Sequence, residues 1–365
     1  MGSDTSFNLQ TDTDDISMQM QANNKLKEDD NWPEWLSTGD RKLLQSGGVV
    51  TPADVTVAKD GSGDYTTVAA AVVGAPSRSG SRYVIKIAAG VYRENVEIPI
   101  TKTNLMFIGD GTSNTIITGS RSVAAGSTTF NSPTVAAMGD GFLARDITFE
   151  NVVGASGNQA VALRVGSDLS AFYRCGIQGY QDTLYVHSNC QFYVDCMVVG
   201  TVDFIFGNAA VVFQDCDIQV CRPNPKQKNT ITAQGRTDPN QNTGIVIQKC
   251  TITATSDLKP VEASFPTYLG RPGKEYSRTV VMQSSISEVI NPAGWYPWNG
   301  DFALETLYYR EYQNTGAGAD TSERVTWPGW GVIKTTAEAN RFTPGTFIAG
   351  GTWLPSTGFP FSLGL

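Results

Sequence analysis

Two aspartates interrupt runs that otherwise read as core: Asp203 in GTVDFIFGNA (residues 200–209) and Asp182 in GYQDTLYVH (179–187). An unpaired carboxylate is costly to bury, so each needs a reason to be there. They lie 21 residues apart, and each follows a cysteine, Cys175 or Cys196, by seven. If the chain repeats with that register, the two stand on successive turns, about 4.8 Å apart. Carboxylates that close cannot both ionise comfortably, so one should hold a proton near neutral pH. Such a pair suits glycoside hydrolysis, retaining where the carboxyls are about 5–5.5 Å apart. It equally suits ester hydrolysis by an aspartate nucleophile with an acid partner. Two aspartates that merely close turns or pair with arginines would give the same spacing. The Phe and Tyr beside each favour a site with shifted pKa values.

Other chemistries have less to stand on. His187 is the only histidine and the chain has no G-x-S-x-G elbow, so a Ser-His-Asp esterase would rest on that one residue. His187 follows the apolar run TLYV and reads as a satisfied surface or turn histidine. Six cysteines (175, 190, 196, 216, 221, 250) include no C-x-x-C pair, so no metal site is expected. Spacing alone leaves buried thiols and disulfides equally open.

The elements that must hold the aspartates read as a solenoid. The 37 glycines, with abundant Val, Ile and Thr, favour many short strands joined by turns. One register recurs from residue 145: a polar residue or Cys, any residue, then Ile or Val. It appears at 145–147, 175–177, 196–198, 216–218, 250–252 and 284–286, with steps of 30, 21, 20, 34 and 34. A loose period with variable insertions fits a parallel β-helix, with a β-sandwich as the alternative. The one helical signal is a short turn at TTVAAAVVGAP (66–76).

Charge divides the chain. Residues 1–45 carry nine acids and four bases (net −5), leaving −3 of the total −8 on the rest. No nucleic-acid surface is expected. Residues 1–50 read as a poorly ordered linker or pro-segment remnant ahead of the strand-rich residues 51–365. The opening MGSDTSFNLQTDTDD reads as a trimmed or engineered end. No apolar stretch is long enough to cross a membrane and no secretory h-region opens the chain.

From residue 51 to Leu365 the chain resembles the plant pectin methylesterases (pectinesterases). The resemblance rests on GVYREN (90–95), GNQAVALRV (157–165), GYQDTLYVHS (179–188) and GTVDFIFGNA (200–209). It continues through QGRTDPNQNTG (234–244), YLGRPG (268–273) and NPAGWYPW (291–298), in order. It implies a right-handed parallel β-helix that removes C6 methyl esters from homogalacturonan, without metal or organic cofactor. By matching position, Asp203 is the nucleophile and Asp182 the general acid and then base. Gln181 and Gln159 stabilise the transition state, Gln159 also binding substrate. Arg271 binds Asp203 and helps place the sugar. Thr129 contacts substrate, and Phe130, Tyr185, Phe206 and Trp298 form aromatic walls.

The resemblance also implies a secreted, cell-wall (apoplast) monomer with a proteinaceous inhibitor as a partner. RKLL (41–44) resembles the family's pro-region processing site. A Cys196–Cys216 disulfide is favoured by the resemblance, while stacking of the cysteines on successive turns leaves Cys216–Cys250 open as well. Two positions depart from the family. Gly273 replaces the tryptophan of LGRPW, which removes sugar-stacking area and loosens the loop that carries Arg271. Cys190 replaces an arginine and, with Cys221, is expected as a free thiol. No N-x-[ST] sequon occurs.

Overall fold

The computed structural model describes residues 52–365. Thr51–Leu365 forms one compact unit. The reading of residues 1–50 as a pro-region remnant, with RKLL, lies outside the described residues.

Short β-rich runs punctuated by turns become coils of a right-handed parallel β-helix. Its strands form three sheets of eleven, seven and eight strands among the described residues. Within each sheet, hydrogen-bonded neighbours come from successive coils, and the coils around the aspartates each give one strand to each sheet. Leu163–Val165, Leu184–Val186 and Ile205–Gly207 are successive strands of the seven-stranded sheet, aligned Leu163↔Leu184↔Ile205. The 21-residue step that carries Asp182 to Asp203 therefore also carries one strand to the next.

Inward side chains repeat coil by coil. Ile177, Val198, Ile218, Ile252 and Ile286 align and are fully buried. The sequence register is correct from residue 175 onward but misplaced at its first member. Thr148, not Asp146, pairs with Gly176, so Phe149 aligns with Ile177 and the first step is 28 residues. A single left-handed residue turns the chain at one corner of each coil: Asp146, Arg174, Asp195, Asp215, Lys249 and Gln283 all have φ between 48° and 57°. The turn, rather than the apolar run, marks the repeat there.

The residues after these corners include Cys175, Cys196, Cys216 and Cys250, which form a ladder. Each backbone N–H donates to the sulfur of the next coil's cysteine at 3.4 Å, from Cys175 to Cys196, Cys196 to Cys216 and Cys216 to Cys250. All six cysteines are free, so the expected Cys196–Cys216 bridge is absent. Thiols stacked in one orientation stay about one strand spacing apart, whereas a disulfide requires about 2.05 Å. Cys190 and Cys221 are free as expected.

The helix Val68–Gly74 forms where the sequence signalled it. Thr67 caps it by accepting from Ala70 N, and Val68, Ala71 and Val72 face the core. One-turn helices near the C-terminus, Thr336–Ala339 and Pro344–Phe347, were not legible, because a single turn shows no period. They belong to a segment whose Phe342, Phe347, Trp353 and Phe359 join Phe192, Val212 and Val280 in a second apolar cluster outside the eleven-stranded sheet.

Candidate active site

Asp182 and Asp203 occupy equivalent turns, two residues before Leu184 and Ile205, which pair with each other. Both backbones are left-handed (φ 63° and 51°), a conformation that Asp tolerates better than most residues. Both side chains are nearly buried, 7% and 6% exposed, yet both line a cavity of about 610 Å³.

The two carboxyls have different partners. Asp203 Oδ1 accepts from Arg271 Nε at 2.7 Å and from Thr230 Oγ1 at 2.6 Å, while Oδ2 accepts from Arg271 Nη2 at 2.6 Å. This is a bidentate, charge-assisted pair. The Asp182 carboxyl has no hydrogen bond among the described residues. Burial, then the Asp203 charge, pushes its pKa well above the usual carboxylate range, with Arg271 opposing. The site therefore presents an ion-paired carboxylate beside a carboxyl whose pKa burial raises.

Gln159 and Gln181 line the same cavity, and neither side-chain amide has a protein hydrogen bond among the described residues. Their N–H groups are free to meet a developing oxyanion. Tyr185 and Phe206, paired across adjacent strands, stack with centroids 4.3 Å apart. The next strand puts Ala233 opposite Phe206, and its small side chain leaves depth to the cavity. Trp298 is 44% exposed and its ring lies 4.3 Å from the Arg271 guanidinium. It walls the cavity from the loop 291–298.

Two sequence-predicted residues stand outside this lining. Phe130 is exposed, lies 3.6 Å over the Arg164 guanidinium and meets the His187 ring edge-on at 5.6 Å. Thr129 begins the same short 3₁₀ turn, Thr129–Asn131, and is half-buried. Phe130 borders the site through His187 instead of forming its wall, and Thr129 is its neighbour in the turn.

His187 itself was underrated. It lines the cavity, edge-on to Tyr185 at 5.0 Å, and burial, then Arg164, pushes its pKa down, so the ring is neutral at pH 7. The period-2 relation of Tyr185 and His187 was the available signal, since both residues face the same side of a strand. Lys274 and Asn208 also line the cavity and had no such signal. Gly207 must be glycine: at φ 130° a Cβ would sit 2.0 Å from Val186 O. Gly273 lines the cavity with ordinary φ, but a Cβ there would lie 3.0 Å from both Ala233 O and Gln234 O. Among the described residues, no cluster of three His, Cys, Asp or Glu side chains is arranged to hold a metal.

Fold and site together define a parallel β-helix protein with two neighbouring carboxyls set in an aromatic-walled cavity. The pectinesterase family model matches residues 54–351, and the chain belongs to that family. It is 68% identical over 360 residues to a tomato (Solanum lycopersicum) protein named pectinesterase/pectinesterase inhibitor U1, covering 97% of this chain and 61% of that protein. The chain thus spans about three-fifths of that relative's length. A solved pectin methylesterase from carrot is 70% identical with TM-score 0.86, covering 87% of this chain and all of the carrot chain. A pectin methylesterase solved in complex with a hexasaccharide is 26% identical with TM-score 0.67, covering 82% of this chain and 97% of that one.

Proposed function

We propose that this chain hydrolyses the C6 methyl esters of homogalacturonan, releasing methanol and leaving pectate. The observation that carries the reading is the division of the carboxyl pair: Asp203 ion-paired to Arg271, Asp182 with its pKa raised by burial. Asp203 Oδ attacks the ester carbonyl carbon, and the carbonyl electron pair moves onto oxygen. The Gln159 and Gln181 amides donate hydrogen bonds to that oxyanion. As the tetrahedral centre collapses, the C–OCH₃ bond breaks and Asp182 gives its proton to the leaving methoxy oxygen. Methanol departs from an acyl-enzyme on Asp203. Asp182, now a carboxylate, takes a proton from water as its oxygen attacks the acyl carbon. Collapse frees Asp203 and the galacturonate carboxyl. No step draws on a cofactor.

Arg271 orients the nucleophile, and Tyr185, Phe206 and Trp298 offer flat faces to sugar rings. Thr129 and Phe130 extend the groove beyond His187. The complex of a relative with a hexasaccharide supports an oligosaccharide in this groove. We also assign the chain to the plant cell wall as a secreted monomer, with a proteinaceous inhibitor as a partner. The tomato relative's name, which includes an inhibitor, supports that partner class. No helix among the described residues is long and apolar enough to cross a membrane.

The test is incubation with highly esterified pectin, reading methanol, reducing ends and unsaturated products together. Methanol alone is expected. Chain scission would instead mark a glycoside hydrolase or lyase, and binding without product a pectin-binding module.

A further inference from the structure

Arg164 is a buried cation with no anion beside it. It stands on the strand Leu163–Val165, where the register aligns it with Ala136 on one side and Tyr185 on the other. Tyr185 pairs in turn with Phe206, so Arg164 continues their outward row one strand past Tyr185. The residue is 4% exposed, and its Nε and Nη1 are buried without a hydrogen-bond partner. It forms no ion pair among the described residues. Burial pushes its pKa down, with Glu97 and Tyr185 opposing. Glu97 stands beyond Ala136 in the same row, two strand spacings or about 10 Å away.

An unpaired guanidinium is costly to bury, and a methionine of similar length would fill the space without that cost. What methionine lacks is a flat cation. The Phe130 ring lies over the guanidinium with its centre 3.6 Å from the central carbon, well within cation–π range. The same ring is 45% exposed and meets His187 edge-on at 5.6 Å, and His187 meets Tyr185 at 5.0 Å. Backbone anchors hold the turn Thr129–Asn131 at its ends. Thr128 Oγ1 accepts from Asn131 N at 3.1 Å, and Ser132 Oγ donates to Thr129 O at 3.0 Å and accepts from Val161 N at 3.1 Å. Those bonds fix the main chain, while the Phe130 ring rests on Arg164 and His187.

We propose that Arg164 is a positioning residue: its guanidinium seats the Phe130 ring and so holds the extension of the groove beyond His187 in place for the sugar chain. This rests on the reading of the cavity as a homogalacturonan site. Arg164 does not itself meet the sugar, because Nε and Nη1 are buried and the Phe130 ring covers the guanidinium plane.

Kinetics and one NMR signal test this on the full chain. Arg164→Met should raise KM for esterified pectin about fivefold with kcat within about twofold, the scale of one partly desolvated cation–π contact. Arg164→Lys keeps a cation without the flat fork, and its KM should lie between those of the wild type and Arg164→Met. Phe130→Leu alone should raise KM similarly. Adding Arg164→Met to it should raise KM little further, since Arg164 acts through the ring. His187 is the only histidine, so its ring gives a single signal. Arg164→Met should move that signal toward its position in Phe130→Leu, where the Phe130 ring current is gone. Effects on KM that multiply, a fall in kcat alone, or a His187 signal that Arg164→Met leaves in place overturns the proposal. Where Arg164→Met fails to fold, Arg164→Lys takes its place in the cycle with Phe130→Leu, under the same criteria. A native chain that releases no methanol overturns the esterase reading instead, and the His187 signal then still decides whether Arg164 seats Phe130.

Discussion

Arg271 grips both oxygens of Asp203, at 2.7 and 2.6 Å, and hydrogen-bonds neither oxygen of Asp182 one coil away. Two chemically identical side chains at equivalent turns are thereby made different. A guanidinium grips one and not the other, while burial and then the Asp203 charge raise the pKa of the ungripped Asp182. Removing the nucleophile should be decisive: Asp203→Asn keeps the side chain's shape but loses the covalent catalyst. Methanol release is expected to fall by more than about a hundredfold, with circular dichroism unchanged. A variant with higher residual turnover would take the nucleophile role away from Asp203.

Asp182 should show itself in stability as well as in rate. Its folded-state pKa lies well above the ordinary carboxylate value, chiefly through burial. The folded state therefore binds a proton that the unfolded chain has released. Stability is lost as pH rises from about 4, the unfolded carboxylate value, toward the raised folded value. Asp182→Asn cannot ionise and should not share that loss. Melting curves from pH 4 to 8 should show the wild type falling relative to the variant. Methanol release by the variant should be low throughout, without the alkaline fall that deprotonation of the acid imposes on the wild type. Parallel melting curves would mean that Asp182 is ionised in the folded protein.

Gly273 sets a contest between stacking and space. An indole there would add an aromatic face to the groove, worth about 0.5–1.5 kcal/mol in sugar binding. Its Cβ, however, must push against two carbonyl oxygens at 3.0 Å. Gly273→Ala carries the clash without the ring and should lower Tm. Gly273→Trp should lower Tm similarly while tightening an oligogalacturonate methyl ester by about two- to tenfold in calorimetry. A weaker Kd would show that the loop has settled around glycine.

The cysteine ladder explains why register is easier to read than bonding. The repeat that aligned Asp182 with Asp203 was visible because its 21-residue step is free of insertions there, and it correctly stacked the cysteines. Stacking in a solenoid puts like residues one strand apart, a spacing that leaves bridged and free thiols equally open, so the bridge that the family resemblance favoured could not be decided from register. The misplaced first member at 145–147 has the same origin: an apolar run repeats less strictly than the left-handed corner, and only the structure shows the corners. Lys274 and Asn208 reach the cavity from turns whose lengths vary from coil to coil, and no period announces them. Six thiols should titrate in denaturant without reductant, and a reductant should leave Tm unchanged. Four thiols would restore one bridge.

The rim of the groove depends on a charge pair outside it. Trp298 sits on a loop whose Trp295 is 1% exposed, stacks on Tyr309 at 4.2 Å, and donates Nε1–H to Glu311 Oε1 at 3.1 Å. Glu311 is held in turn by Arg324, Nε to Oε1 at 3.0 Å and Nη2 to Oε2 at 3.1 Å. Arg324 Nη1 also donates to Pro292 O of the same loop at 2.9 Å. Burying both charges is costly, but breaking the pair costs more, because the survivor is left unpaired out of water. Glu311→Leu should therefore destabilise by about 3–5 kcal/mol, and Glu311→Leu/Arg324→Met should recover much of that loss. The loop must register the difference too. The double variant, though refolded, lacks the acceptor for Trp295 and the donor to Pro292, so Trp298 is less firmly set. Its KM for esterified pectin should rise severalfold with kcat little changed, since Asp182, Asp203 and Arg271 are untouched. A double variant no more stable than Glu311→Leu would show that packing, not charge pairing, holds this corner. An unchanged KM would show that Trp298 stands without it.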